Sequence, residues 1–144
     1  MSANSRLTIA AHALVWIGLY QRRGHEVATS EQIAGSANTN PVVIRRLLGE
    51  LRRAGLVDSR RGLGAGWSLR RDLEAVTLLE VYEAIDPGPL FAMHRAQPDQ
   101  GCIVGHAIQP VMERVYGRLE ETLRRELAQV SLEDLLQEVL ASPR

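Results

Sequence analysis

The chain has 144 residues with 17 arginines, no lysine, 17 acidic side chains and one cysteine, a length that closes one respectable core and leaves no room for a second, enzyme-sized domain. Its formal charge is zero, yet residues 1–72 hold 11 Arg against 5 acidic residues, a net +6, while residues 73–144 hold 6 against 12, a net −6. The neutral balance hides a basic head and an acidic body, and the single Cys102 excludes an internal disulfide and fits a reducing cytoplasm.

From Ser5 to Arg22 the apolar residues Ile9, Ala13, Trp16, Ile17 and Tyr20 recur at helical spacing, and Gly24 ends the run. Its apolar centre is interrupted by His12, runs into Arg22-Arg23 and is too short to cross a bilayer, so it reads as a helix of a soluble, cytoplasmic protein rather than a signal peptide. Thr29 or Ser30 caps a second, short helix through Ile33 and Ala34, with Glu31 at its positive end, and a turn is expected over Gly35 to Asn38. Asn40-Pro41 opens a third helix, the Asn as cap and the Pro where its missing N–H costs nothing. Ile44, Leu47, Leu48 and Leu51 fall on one side of it. Val42, Arg45, Arg46, Gly49, Arg52 and Arg53 fall on the other, an arc of four arginines around one small residue, and Gly55 closes the helix.

Residues 56–60 and 66–70 then alternate as two strands joined by the turn Arg61-Gly62-Leu63-Gly64-Ala65. A guanidinium-faced helix followed at once by a two-stranded ribbon is what a winged helix-turn-helix presents to a DNA groove. Asp72 to Val76 reads as a loop. Thr77 caps a helix through Leu78, Leu79, Val81, Tyr82 and Ile85, which Asp86-Pro87-Gly88-Pro89 stops. Residues 90–101 read as loop. After Cys102 a short helical turn is expected, and then, from around Pro110, a long helix to about Gln129. Its stripe of Ile108, Val111, Met112, Val115, Leu119, Leu123 and Leu127 has the spacing of a helix buried against another helix. Ser131-Leu132-Glu133-Asp134 starts a last helix ending near Leu140. The expected fold is mainly α with a small β-hairpin: a winged helix-turn-helix domain over residues 1–86, a linker or sensory loop over 87–106, and a dimerisation helix with a C-terminal helix over 107–144.

These residues resemble the Rrf2 family of bacterial transcriptional regulators, which are winged helix-turn-helix homodimers. The resemblance rests on Arg6-Leu7-Thr8, on Glu31-Gln32-Ile33-Ala34, and on the run from Leu51 to Gly62 with Gly64, Gly66 and Trp67. Val76-Thr77-Leu78 and Val81-Tyr82-Glu83-Ala84-Ile85 continue it. Downstream, Cys102-Ile103-Val104-Gly105-His106 and Ser131 to Leu136 look like the subgroup that lacks the iron–sulfur cysteines. Cluster-binding members place three cysteines in this region, whereas a cluster held by about four ligands, mostly thiolate, finds one thiol here. No cofactor is therefore expected. Cluster readers also carry an acidic residue where Arg45 aligns, so their operator is not carried over. Ala65 and Trp67 replace the Gly and Tyr usual at the wing.

Arg45 and Arg46, in the first turn and a half of the third helix, are candidates for major-groove contact with guanine, and Thr39, Asn40 and Val42 for nearby base edges or a thymine methyl. Arg52 and Arg53 are candidates for phosphates. Arg61 at the wing resembles the family's minor-groove arginine, with Arg60 the alternative because a one-residue slip exchanges strand faces. Gly62, Gly64 and Gly66 read as turn residues, and the G-x-G-x-G they spell is followed by a strand, unlike a dinucleotide fingerprint. His12 reads as a satisfied core histidine. The expected function is a homodimeric repressor on a pseudo-palindromic operator, its partner double-stranded DNA. Two other readings stand beside it: a thiol- or metal-responsive sensor using Cys102 with His94 and His106, and a winged interaction module that does not bind DNA. No nucleophile, base and orienting group converge at a recognisable spacing, and Glu113, Glu120, Glu121 and Glu126 read as the wet side of the long helix, so an enzyme is not expected.

Overall fold

A computed structural model describes residues 5–144. Its elements are α1 (Arg6–Arg22), α2 (Ser30–Ala37), α3 (Pro41–Arg53), β1 (Val57–Arg60), β2 (Gly66–Leu69), one 3-10 turn (Leu73–Ala75), α4 (Leu78–Ala84), α5 (Ile103–Ala128) and α6 (Leu132–Ala141). The mainly helical fold with a two-stranded antiparallel hairpin is the one the periodicity implies. No helix among the described residues is long and apolar enough to cross a membrane.

Local signals account for the head. Thr29, not Ser30, caps α2: its hydroxyl accepts from the Gln32 amide at 3.1 Å while the Gln32 side chain accepts from the Thr29 amide at 2.9 Å, satisfying two donors that a helix start leaves orphaned. The α2 helix runs past Gly35 and Ser36 to Ala37 and ends because Asn38 adopts a left-handed conformation, φ 52°, which Asn tolerates better than most residues. The expected turn at 35–38 is thus shorter and later. In α3, Asn40 Oδ1 accepts from the Val42 amide at 2.8 Å, and Ile44, Leu47, Leu48 and Leu51 are buried while the arginine arc is exposed.

The hairpin pairs Val57 with Leu69 and Arg60 with Gly66. A third backbone segment is stitched to it: Ala28 and Trp67 exchange two N–H···O bonds of 2.9 and 2.8 Å. Gly62 and Gly64 occupy left-handed turn positions, φ 78° and 74°, but Gly66 serves close approach, since a Cβ there would lie 2.8 Å from the Ala28 carbonyl oxygen. Trp67 Nε1 also donates to the buried Ser30 hydroxyl at 3.0 Å. The wing is therefore fixed to the first turn of α2. The segment expected as a loop at 72–76 contains the 3-10 turn, whose Leu73 is buried against α1 where Gly18 has no side chain.

The C-terminal part departs from expectation in two ways, in where α5 begins and in what α6 packs against. The α5 helix is one helix from Ile103, with Pro110 inside it; the proline forfeits the bond to the carbonyl four residues earlier and its ring crowds that turn, yet the helix of 26 residues runs on through it. Its first turn therefore takes residues 103–106 out of the expected linker. The stripe along α5 is only partly covered among the described residues: α4 packs against the helix and Met112, Val115, Leu123 and Leu127 are half-buried, whereas no α5 residue is fully buried and Ile108, Val111 and Leu119 are each more than 40% exposed. Finally, α6 is not a companion of α5 alone. Leu132 and Leu136 are buried in the same core as Ala10, Leu14 and Ile17 of α1 and Leu73 and Val76, and the Leu132 amide donates to the Val76 carbonyl at 2.9 Å. One core thus joins the head to residues 132–136, and the boundary expected at 107 does not separate them. Arg22 adds a two-pronged ion pair to Glu133 across α1 and α6, and Arg6 joins α1 to Glu50 of α3 and to the Ile85 carbonyl.

Candidate nucleic-acid interface

The first turn of α2, the outer face of α3 and the hairpin enclose an open groove of about 370 Å³ whose lining includes Thr29, Glu31, Arg45, Arg52, Arg60 and Arg61. Four arginines thus converge from two sequence segments. Each is placed by a local reason: Arg45 and Arg52 share the solvent side of α3 because the four apolar residues opposite them are core, Arg60 ends β1, and Arg61 follows it where the glycine turn begins.

Their partners differ. Arg45 Nη1 donates to Glu31 Oε1 at 3.1 Å, Arg60 Nη1 to Glu26 Oε2 at 3.0 Å, and Arg52 Nη1 to Ser59 Oγ at 2.9 Å. Arg61 makes no side-chain hydrogen bond or ion pair among the described residues, so of the two wing arginines it is the one presented without a protein partner. Arg46 is exposed and lies outside the groove lining. Arg53 points elsewhere, lining a shallow depression with Glu50, Glu83 and Asp86 at the junction of α3 and α4. Val42 is exposed at the start of α3, and Thr39 is half-buried. Asn40 spends its carbonyl oxygen on the helix cap, which leaves only its amide N–H groups for a ligand.

Sequence reasoning missed Thr29, Glu31 and Glu26 as members of this surface. The spacing of Thr29 and Gln32 is a readable capping box; the two carboxylate partners carry no local signal, because each meets its arginine across a long stretch of chain.

The residues considered for sensing do not converge. Cys102 is exposed at the cap of α5, where the amides of Gly105 and Val104 hold its thiol below the ordinary value. His94 Nδ1 lies 3.0 Å from the Ala96 carbonyl oxygen, and His106 is exposed on the first turn of α5. Among the described residues no three His, Cys, Asp or Glu side chains gather to hold a metal ion, so Cys102, His94 and His106 form no metal site within one chain. His12, read as a core histidine, is half-buried and hydrogen-bonded, 2.8 Å from Ser36 Oγ. It lines a mostly apolar cleft of about 530 Å³ between α1 and α6, away from the arginine groove.

A family model described as Rrf2, iron-dependent transcriptional regulator, matches residues 3–138. Over 134 residues the chain is 40% identical to YwnA of Bacillus subtilis (strain 168), which bears the name of an HTH-type transcriptional regulator, with 92% of this chain and 96% of that protein covered. It is 29% identical over 136 residues to the HTH-type transcriptional regulator IscR of Cereibacter sphaeroides, covering 94% of this chain and 87% of that protein. A crystal structure described as that of a DNA binding protein is 35% identical and superposes with a TM-score of 0.72 over 92% of this chain and 99% of that one.

Proposed function

The chain belongs to the Rrf2 family of transcriptional regulators, a family of regulators rather than enzymes, and on that premise we propose that it acts in the cytoplasm as a homodimeric repressor on a pseudo-palindromic operator. The observation that carries this reading is the convergence of Arg45, Arg52, Arg60 and Arg61 on one groove between α3 and the wing. In it, the start of α3 enters the major groove, with Arg45 and Arg46 toward guanine O6 and N7, and Val42 and Thr39 beside them. Arg52 meets phosphate, and Arg61 enters the minor groove, where a guanidinium recognises a narrow A·T-rich shape.

The dimer is supported by the exposed part of the α5 stripe, Ile108, Val111 and Leu119. A helix of 26 residues with an apolar row and no fully buried residue is what an isologous interface leaves exposed in one protomer. Two copies joined along α5 present two α3 helices to successive major-groove faces.

The family description includes iron dependence. An iron–sulfur cluster takes about four ligands, mostly thiolate; this chain offers one thiol, with no cluster of further donors among the described residues. The donor set does not fit such a cluster, and the proposed regulator works without one. A thiol-responsive form of the same reading is favoured by one observation, the exposed Cys102 with its lowered pKa. Gel shifts of oxidised and reduced protein beside Cys102→Ser test it, and an affinity that ignores oxidation rejects it.

Fluorescence anisotropy with random duplex at low salt, and then with duplex selected from random DNA, tests the main reading. Arg61→Ala is expected to weaken binding to the selected duplex by about 1–3 kcal/mol. A wild-type chain that binds neither duplex leaves the winged fold as an interaction module, and an unchanged affinity of Arg61→Ala removes the wing from the interface. Sedimentation of Leu119→Glu, expected to shift dimer toward monomer, tests the α5 interface.

A further inference from the structure

Two carboxylates that contact with DNA does not require pair with the groove's arginines, Glu31 from its lining and Glu26 from beside it. Glu31 Oε1 holds Arg45 at 3.1 Å and Glu26 Oε2 holds Arg60 at 3.0 Å. Neither pair is buried: the side chains of Glu31 and Glu26 are 68% and 79% exposed, and those of their arginines about half. Such pairs contribute little to stability because water and salt screen them, so their placement on the arginine groove calls for another account. Toward a guanidinium, a carboxylate and a phosphate offer the same fork of anionic oxygens. Each glutamate therefore offers its arginine the kind of anion that a backbone phosphate offers.

We infer that Glu31 and Glu26 are intramolecular competitors of the DNA backbone, which hold Arg45 and Arg60 off non-specific duplex and so raise the weight of base contacts in binding. The inference rests on the DNA-binding reading above. On a random duplex, Arg45 exchanges one anion for another, gains little, and leaves the Glu31 carboxylate facing phosphates. Guanine O6 and N7 are neutral acceptors, so Arg45 meets them through its other N–H groups, with Nη1 still on Glu31, and no second anion is set beside the carboxylate. Glu31 is well held for this role: it stands in the first turn of α2, where the helix dipole favours an anion, and that turn is fixed by the Thr29–Gln32 capping box and by the bond from Trp67 to Ser30. Arg61, with no such competitor among the described residues, keeps its charge available to any duplex.

The test is anisotropy on the full chain with Glu31→Gln, Glu26→Gln and the double variant, at low and at physiological salt, using a random duplex and one selected from random DNA. Each single variant is expected to tighten binding to random duplex by about three- to fivefold and the double by about tenfold, since a like charge is removed within a few ångströms of the phosphates. The selected duplex gains less, so the ratio of specific to random affinity falls, and each freed arginine steepens the salt dependence by about one phosphate. Glu113→Gln, the same charge change on the wet side of α5, serves as the control and shifts affinity less than about twofold. Unchanged or weaker binding to random duplex, an equal gain on both duplexes, or an equal gain from Glu113→Gln overturns the inference. A wild-type chain that binds neither duplex refutes the DNA-binding reading itself, and the inference falls with it.

Discussion

Leu136→Ala probes whether α6 belongs to the core of the head. Leu136 is fully buried, in one apolar cluster with Leu132 and with α1 residues Ala10, Leu14 and Ile17. Truncation removes three carbon atoms and leaves a void that the flanking helices, tied by the Arg22–Glu133 pair and the Leu132–Val76 backbone bond, fill only in part. Leu→Ala changes at such sites cost about 2–5 kcal/mol, and a value of about 3 is expected here. For a chain of this size that lowers Tm by about 10–15 °C. Urea unfolding followed by far-UV circular dichroism, at one fixed protein concentration because dimerisation adds to stability, gives the difference from the midpoint and slope. Val139→Ala, one turn from Leu136 but 59% exposed, is the internal comparison and should change stability by less than about 0.5 kcal/mol. A loss below about 1 kcal/mol for Leu136→Ala, or equal losses for the two, would refute the placement of α6 in the shared core.

Two glycines should respond with opposite sign. Gly49→Ala meets open space on the exposed side of α3 and should stabilise the chain by about 0.5–1 kcal/mol by thermal unfolding, whereas Gly66→Ala drives a methyl into the Ala28 carbonyl and should destabilise it by about 1–3 kcal/mol and loosen DNA binding through the displaced wing. Arg22, with help from Gln137, holds the Glu133 carboxyl down to about 2 from its usual 4.5. Because the folded-state value is the lower one, the stabilisation is complete above pH 4.5 and is lost as the pH falls toward about 2, so the Tm difference between wild type and Glu133→Gln should close across that window; a difference constant with pH excludes the linkage. Cys102 should form thiolate, followed by its ultraviolet absorbance, at a lower pH in the folded chain than in urea, since the Gly105 and Val104 amides act only on the folded helix start; coincident titrations would exclude that cause.

Most of the head was legible in the sequence because its determinants are local. Four apolar residues at steps of three and four set which side of α3 is buried and therefore that the arginine arc is exposed. The Asn40-Pro41 and Thr77 starts and the alternation on either side of the glycine turn likewise concern neighbours along the chain. Where two local signals competed, the reading slipped: Gly35 looked like the end of α2, yet the left-handed Asn38 ends it, and Pro110 looked like a start although α5 already had a turn behind it.

The amino-acid sequence by itself determined the helices and hairpin of the head and the exposed arginine face, since periodicity, caps and glycines act over a few residues, and its motifs carried the family resemblance. Only the tertiary structure decided that Arg60 is held by Glu26 while Arg61 has no partner among the described residues, that Glu31 engages Arg45, that Trp67 bolts the wing to Ser30, and that Leu132 and Leu136 close the core begun by α1. Each of those contacts joins residues at least 14 apart, and no local pattern records a pairing whose free energy arises only when distant segments meet.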